Sequence, residues 1–166
     1  MLAWRIFDHA AAYATQPGFD PLDGAGGLQG AARWHHRGHP ILYAASNPSL
    51  ALLEILVHID PRRFREQTLL RLEFEDDVER VSRAQLVQLL RDAPAHAPEA
   101  RTRDYGSAWL REKRSLALVV PSLAMPFDDN VLLNPLHPRA EGIRIAVRER
   151  ITLDERLVER LPGGSR

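Results

Sequence analysis

Hydrophobic periodicity divides the chain into short segments of two kinds. Gln67–Glu75 sets Leu70, Leu72 and Phe74 against Arg71 and Glu73, the period-two pattern of a strand with one wet face. Ile143–Thr152 repeats it, with Ile143, Ile145 and Val147 opposing Arg144 and Arg148. Compact apolar runs at Leu2–Phe7, Ile41–Ala45, Leu116–Val120 and Asn130–Leu133 predict four more strands, the third of them ended by Pro121. Asn47 is a good N-cap and Pro48 suits the first helical position, so a helix is expected from there to about His58, with Pro61 stopping it. That helix is apolar nearly all round, which predicts burial on most sides. Ser82-Arg83-Ala84-Gln85 reads as a capping box opening a helix to Leu90. Arg101–Arg114 predicts a helix with Trp109 on its apolar side, although Gly106 is a poor helix former. A terminal helix is expected over Leu153–Leu161, with residues 162–166 frayed.

The intervening segments are polar. Residues 17–30 hold five of the ten glycines and two prolines, the composition of a long mobile loop, and loops of that length inside a domain are often functional. Asp92–Glu99 reads as a surface connection. No repeat and no linker divides the chain. The expectation is one α+β domain over residues 1–161, with mixed or antiparallel sheets flanked by helices.

Composition narrows the chemistry. The chain has 166 residues, with 22 Lys+Arg against 22 Asp+Glu. A neutral total gives no general argument for nucleic-acid binding, since there is no cation excess to displace counterions from phosphates. The absence of Cys excludes disulfides, thiolate metal sites and thiol nucleophiles. Met1–Arg5 carries no basic region followed by an apolar one, so no secretory signal is expected, and the longest apolar stretch, Leu116–Phe127, is too short and too rich in proline to span a bilayer. A cytoplasmic protein with no membrane contact is expected.

Glu54, at the centre of an apolar helix, is the most informative single residue, because a buried carboxylate needs a partner. It could pair with a nearby Arg as a structural bridge, reach solvent through a gap, or serve a functional site. Arg33, directly after the glycine-rich loop, is suited to gripping phosphate or carboxylate in bidentate fashion, as well as to lying solvated on the surface. Tyr43 falls in a buried-strand pattern and Ser122 at a strand end. His35, His36 and His39 have the spacing H-H-x-x-H, but they lie in a polar turn without a carboxylate at ligand spacing, so a solvated turn is preferred to a metal site. No nucleophile elbow is present, and a triad of His58, His137 and Ser122 could form only through the fold. The glycines do not sit in the strand–turn–helix context of a dinucleotide fingerprint.

Taken in order, these pieces resemble the RES-domain family, the toxin half of RES–Xre toxin–antitoxin pairs. The Arg, Glu and Ser of the family name fall on Arg33 in Ala31-Ala32-Arg33-Trp34, on Glu54 in Ser49–Glu54, and on Ser122 in Val120-Pro121-Ser122. Trp4-Arg5-Ile6, Gly38-x-Pro40-x-x-Tyr43 and Asn130–Pro138 add further marks, and the likeness runs over residues 2–150. Where the family usually has Gly-Gly-Arg-Trp-Asn, this chain has Ala31-Ala32-Arg33-Trp34-His35.

The resemblance implies an ADP-ribosyltransferase-like fold that cleaves the nicotinamide–ribose bond of NAD, with water or phosphate as acceptor. A protein side chain is the alternative acceptor, and a non-catalytic binding module a further alternative. It implies Glu54, Arg33 and Ser122 as catalytic residues, with Glu54 stabilising the charged ribose and able to hold a ribose hydroxyl. Arg33 would grip the pyrophosphate and Tyr43 would pack against the nicotinamide. Ser122 and Asn134 would hydrogen-bond the dinucleotide or steady Glu54 and Arg33. NAD enters as substrate, with no separate cofactor and no metal. The implied partner is a helix-turn-helix antitoxin of the Xre type that covers the cleft and carries the DNA contact, so that this chain itself binds no nucleic acid.

Overall fold

Seven strands form one mixed sheet in the computed structural model, which describes residues 1–11, 14–57, 64–154 and 156. In chain order the elements are β1 (Leu2–Phe7), α1 (Gly26–Gln29), β2 (Leu42–Ala45), α2 (Pro48–Leu56), β3 (Gln67–Glu73) and β4 (Val78–Arg80). They continue with α3 (Arg83–Arg91), α4 (Ala100–Glu112), β5 (Ala117–Pro121), β6 (Asp129–Leu133), a 3-10 turn at Ala140–Gly142 and β7 (Arg144–Ile151). The strand order is β4-β5-β6-β2-β1-β3-β7. Only β4 and β5 run parallel, and α3 and α4 make the crossover between them.

Side-chain alternation assigns the two faces of this sheet. Ala3, Phe7, Leu42, Ala44, Leu70, Leu72, Val119, Val131 and Leu133 point to one face and form the largest apolar cluster. Residues of opposite parity point to the other, where the helices lie. Leu118, Val120 and Leu132 pack with Leu86, Trp109 and Leu110 of α3 and α4. Ile6 and Ala45 pack with Leu50 and Ala51 of α2. Both expected caps form: Asn47 Oδ1 accepts from Leu50 N at 2.8 Å, and Ser82 and Gln85 close a reciprocal capping box.

Three expectations change. The helix after Asn47 is not buried on most sides: Leu50 and Ala51 are buried, Leu52–Leu56 are half-buried, and Val57 is 60 % exposed. It packs over the central strands β1 and β2, and its Ile55 and Val57 line a cleft. Residues 17–30, expected as a mobile loop, cover the larger core: Phe19 packs on Phe7 with ring centroids 5.6 Å apart, and Leu22 joins the same cluster. A Cβ at Gly27 would stand 2.1 Å from His39 O, so glycine here permits close backbone packing. Strand β4 went unrecognised because three residues carry no period; its pairing with β5 makes it a strand. Pro61 and the expected terminal helix over Leu153–Leu161, like His58, fall largely outside the described residues.

A charged network joins β4 to α4. Arg114 donates through Nε and Nη2 to Glu79 at 2.9 Å each, and Tyr105 Oη donates to Glu79 Oε1 at 2.6 Å. Burial works to raise the Glu79 carboxyl, but these hydrogen bonds and the Arg114 charge outweigh it and hold the group below its ordinary range. A carboxyl depressed in the folded state contributes stability above its unfolded value, near 4.5, and that contribution is lost as the pH falls through the folded value. Glu79→Gln is therefore expected to cost about 1–2 kcal/mol at pH 7 and less at pH 3. Urea unfolding at the two pH values measures it; an equal loss at both would exclude the ionic origin.

Candidate active site

The site forms where the helix-bearing face of the sheet is left uncovered, between α2 on one side and α4 with the 32–35 turn on the other. Strand parity supplies its floor: Tyr43 on β2, Asn130 on β6 and Ser122 just past β5 all belong to that face, in the same register rows as Leu132, Val120 and Leu118. Helix spacing supplies its wall. Glu54 follows Leu50 by four residues and Ala51 by three, so it shares their inward face at the point where packing gives way to the cleft.

Ser122 Oγ and Asn130 Nδ2 each donate to Glu54 Oε1 at 2.7 Å. Ser122 is wholly buried, and its Oγ also accepts from the backbone N–H groups of Ala124 and Met125 at 3.0 and 3.1 Å. Its hydroxyl proton is thus directed to Glu54, and the hydroxyl positions the carboxylate. Among the described residues no hydrogen bond falls on Glu54 Oε2. Of the possible partners for Glu54, the structure selects a hydroxyl and an amide rather than an arginine.

Two cavities meet at this carboxylate. One, of about 290 Å³, is mainly apolar and is lined by Trp4, Arg5, Ile6, Ala44, Ala45, Ala51 and Ile55. The other, of about 640 Å³, is lined by Ala31–Trp34, Val57, Glu99, Arg103, Pro121, Leu123 and Ala124. Glu54, Tyr43 and Asn130 line both. The Tyr43 hydroxyl accepts from Trp34 N at 3.3 Å and lies 2.9 Å from His35 Nδ1, while His35 Nε2 lies 2.9 Å from Gly30 O. A carbonyl can only accept, so Nε2 carries the proton and Tyr43 donates to Nδ1. Burial dominates the lowered His35 pKa, against the opposing Gly30 hydrogen bond, and keeps the ring neutral. Burial likewise pushes the Tyr43 phenol well above its ordinary range, so it stays a proton donor.

Arg33 is carried on a tight turn closed by the Ala32–His35 bridge and held against one face of α4. Arg103 Nε donates to Ala32 O at 2.9 Å, Ser107 Oγ accepts from His36 N at 2.9 Å, and Gly106 lies against the Trp34 carbonyl. Positions 103, 106 and 107 have the i, i+3, i+4 spacing of a single helix face. Gly106, a weak point by propensity, allows this approach. Ala31 and Ala32 fit the turn because neither has a positive φ. Arg33 Nη1 lies 3.1 Å from Glu99 Oε1, and Arg103 pairs with Glu99 Oε2.

The structure therefore brings together Arg33, Tyr43, Glu54 and Ser122. It does not bring Asn134 to them. That residue lies four positions, roughly 13 Å, along the strand direction from Asn130. Its amide donates to Leu110 O and accepts from Leu136 N, which ties the end of β6 to α4. The asparagine that meets Glu54 is Asn130; its pairing with Val120 across the β5–β6 hairpin places it beside Ser122, a relation visible only once the register is known. Arg103 and Glu99 were also missed, because nothing local separates them from the other charges of α4. His137 approaches Asp77 at 3.6 Å and does not meet Ser122, while His36 pairs with Asp104 at 2.8 Å. Among the described residues no group of three or more His, Asp or Glu could hold a metal ion.

An α+β sheet that presents a hydrogen-bonded glutamate and an arginine turn across an open cleft defines the class of domain. Residues 2–154 match the RES domain, and the chain belongs to that family. It is 44 % identical over 160 residues to a protein named Toxin Res from Pseudomonas putida, covering 95 % of this chain and 99 % of that one. It is 32 % identical over 159 residues to the Prs ADP-ribosylating toxin of a Sphingobium species, covering 95 % and 96 %. The fold matches a chain in the crystal structure of the M. tuberculosis MbcT-MbcA toxin-antitoxin complex, with a TM-score of 0.68 at 14 % identity, over 95 % of this chain and 86 % of that one.

Proposed function

We propose that this protein is the toxin of a toxin–antitoxin pair and cleaves the nicotinamide–ribose bond of NAD. The observation that carries the proposal is the Glu54 carboxylate, fixed by Ser122 and Asn130 where an apolar cavity meets one lined by arginines. The nicotinamide ring, flat and uncharged once released, suits the apolar side beside Tyr43 and Trp4. The pyrophosphate suits Arg33, through charge-assisted hydrogen bonds worth about 1.5–3 kcal/mol each.

Cleavage breaks the bond between the ribose anomeric carbon and the pyridinium nitrogen. The electron pair leaves with the nitrogen, nicotinamide departs neutral, and positive charge develops on the ribose ring. Glu54 stabilises that charge with a carboxylate already oriented before the reaction begins. Water then adds to the ribose and releases a proton, or phosphate adds in its place. NAD is the substrate, and these steps use no further cofactor. The toxin names of the Pseudomonas and Sphingobium relatives support the role.

The Sphingobium name favours a second reading, transfer of ADP-ribose to a protein acceptor. An Xre-type antitoxin is the proposed partner, covering a cleft whose lining includes the exposed Val57 and Leu123. The proposed place of action is the cytoplasm; no helix among the described residues is long and apolar enough to cross a membrane.

Product analysis after incubation with NAD, with and without phosphate, tests the chemistry. Free nicotinamide with ADP-ribose indicates hydrolysis, and a phosphate-dependent phosphorylated ADP-ribose indicates phosphorolysis. Label from NAD fixed on a protein band indicates transfer. Absence of nicotinamide release would refute the proposal.

A further inference from the structure

Two guanidinium groups face the wider cavity, and a single carboxylate bridges them. Arg33 pairs with one Glu99 oxygen at 3.1 Å and Arg103 pairs with the other. Arg103 is independently fixed by its Nε hydrogen bond to Ala32 O, on the turn that carries Arg33, so Arg103 stays at that turn when Glu99 moves. All three side chains are only partly exposed, which strengthens their mutual attraction relative to open solvent.

Resting on the NAD reading, we propose that Arg103 is a second pyrophosphate-binding residue and that Glu99 is a resident anion which the substrate must displace. The carboxylate satisfies the two guanidiniums much as a diphosphate would, with one acceptor oxygen for each. Binding is then an exchange of anions rather than a simple capture. Glu99 stands at the N-cap position of α4, so its carboxylate remains beside the positive end of that helix after it turns aside. Glu99 thus weakens substrate affinity and Arg103 strengthens it, without either touching the reacting bond.

The test measures binding of ADP, which carries the diphosphate without the scissile bond, by calorimetry, alongside nicotinamide release from NAD. Glu99→Gln is expected to tighten ADP about 10-fold and to lower KM for NAD by a similar factor, with kcat within about 2-fold of the parent. Arg103→Gln is expected to weaken ADP about 10-fold and to flatten the salt dependence of its binding; thermal melting confirms that each variant is folded. If Glu99→Gln leaves ADP affinity unchanged or weaker, the exchange is overturned, and continued nicotinamide release by the parent leaves the NAD reading standing. If ADP responds as expected while NAD stays intact, the exchange holds and the cleavage reading falls.

Discussion

Glu54→Gln is expected to slow nicotinamide release by about 10²–10³-fold while leaving the fold unchanged. The amide oxygen of Gln can still accept from Ser122 and Asn130, so both 2.7 Å hydrogen bonds can persist and only the negative charge is lost. The change therefore isolates electrostatic stabilisation of the charged ribose from any packing role. Asn130→Ala keeps the charge but removes one of its two positioning hydrogen bonds, and an intermediate loss of about 10-fold is expected. Single-turnover rates at saturating NAD, with melting temperatures measured in parallel, check both. A Glu54→Gln protein that keeps a third or more of the parental rate would remove the carboxylate from the mechanism.

Gly106→Ala is expected to destabilise the protein by about 3 kcal/mol, far beyond the usual consequence of placing alanine in a helix. By intrinsic propensity the substitution should stabilise the helix by about 1 kcal/mol. Packing reverses the sign: the added Cβ would lie 1.9 Å from the Trp34 carbonyl oxygen, a backbone atom that cannot rotate away. The turn must then lift from α4, and Arg33 moves with it. NAD cleavage should fall together with stability. Chemical unfolding decides the matter, and a stability equal to or above the parent's would show that the turn does not depend on this approach.

The same residue illustrates how far the sequence can be read. Gly106 counted against the helix when only propensity was considered, yet the helix runs through it from Ala100 to Glu112. Elements with a strong local signature were legible. The Asn47-Pro48 start, the Ser82–Gln85 capping box and the alternation of β3 all arise from interactions within a few residues. Strand β4 was not legible, nor was the covering role of residues 17–30, because both depend on surfaces supplied from elsewhere in the chain.

The candidate site divides along the same line. Glu54 stands out in sequence because a carboxylate in an apolar helix needs an explanation, and Arg33 and Ser122 gain meaning from the RES resemblance. Asn130 and Asn134 look alike in sequence: one opens the predicted short strand and the other follows it, with the same parity. Only the pairing of β6 with β5 puts Asn130 opposite Val120 and beside Ser122, and leaves Asn134 holding the far end of α4.

The sequence by itself determined the local elements, the charge balance, the absence of thiol chemistry and the presence of one carboxylate out of place. These follow from short-range backbone preferences and from composition, which need no knowledge of distant neighbours. The tertiary structure decided which side chains meet Glu54, that Glu99 occupies the two arginines, and that Gly106 is required by contact. Each of these joins residues about 66 to 76 positions apart, Glu99 meeting Arg33 because the 32–35 turn docks on α4, and such meetings are set by strand register and helix docking.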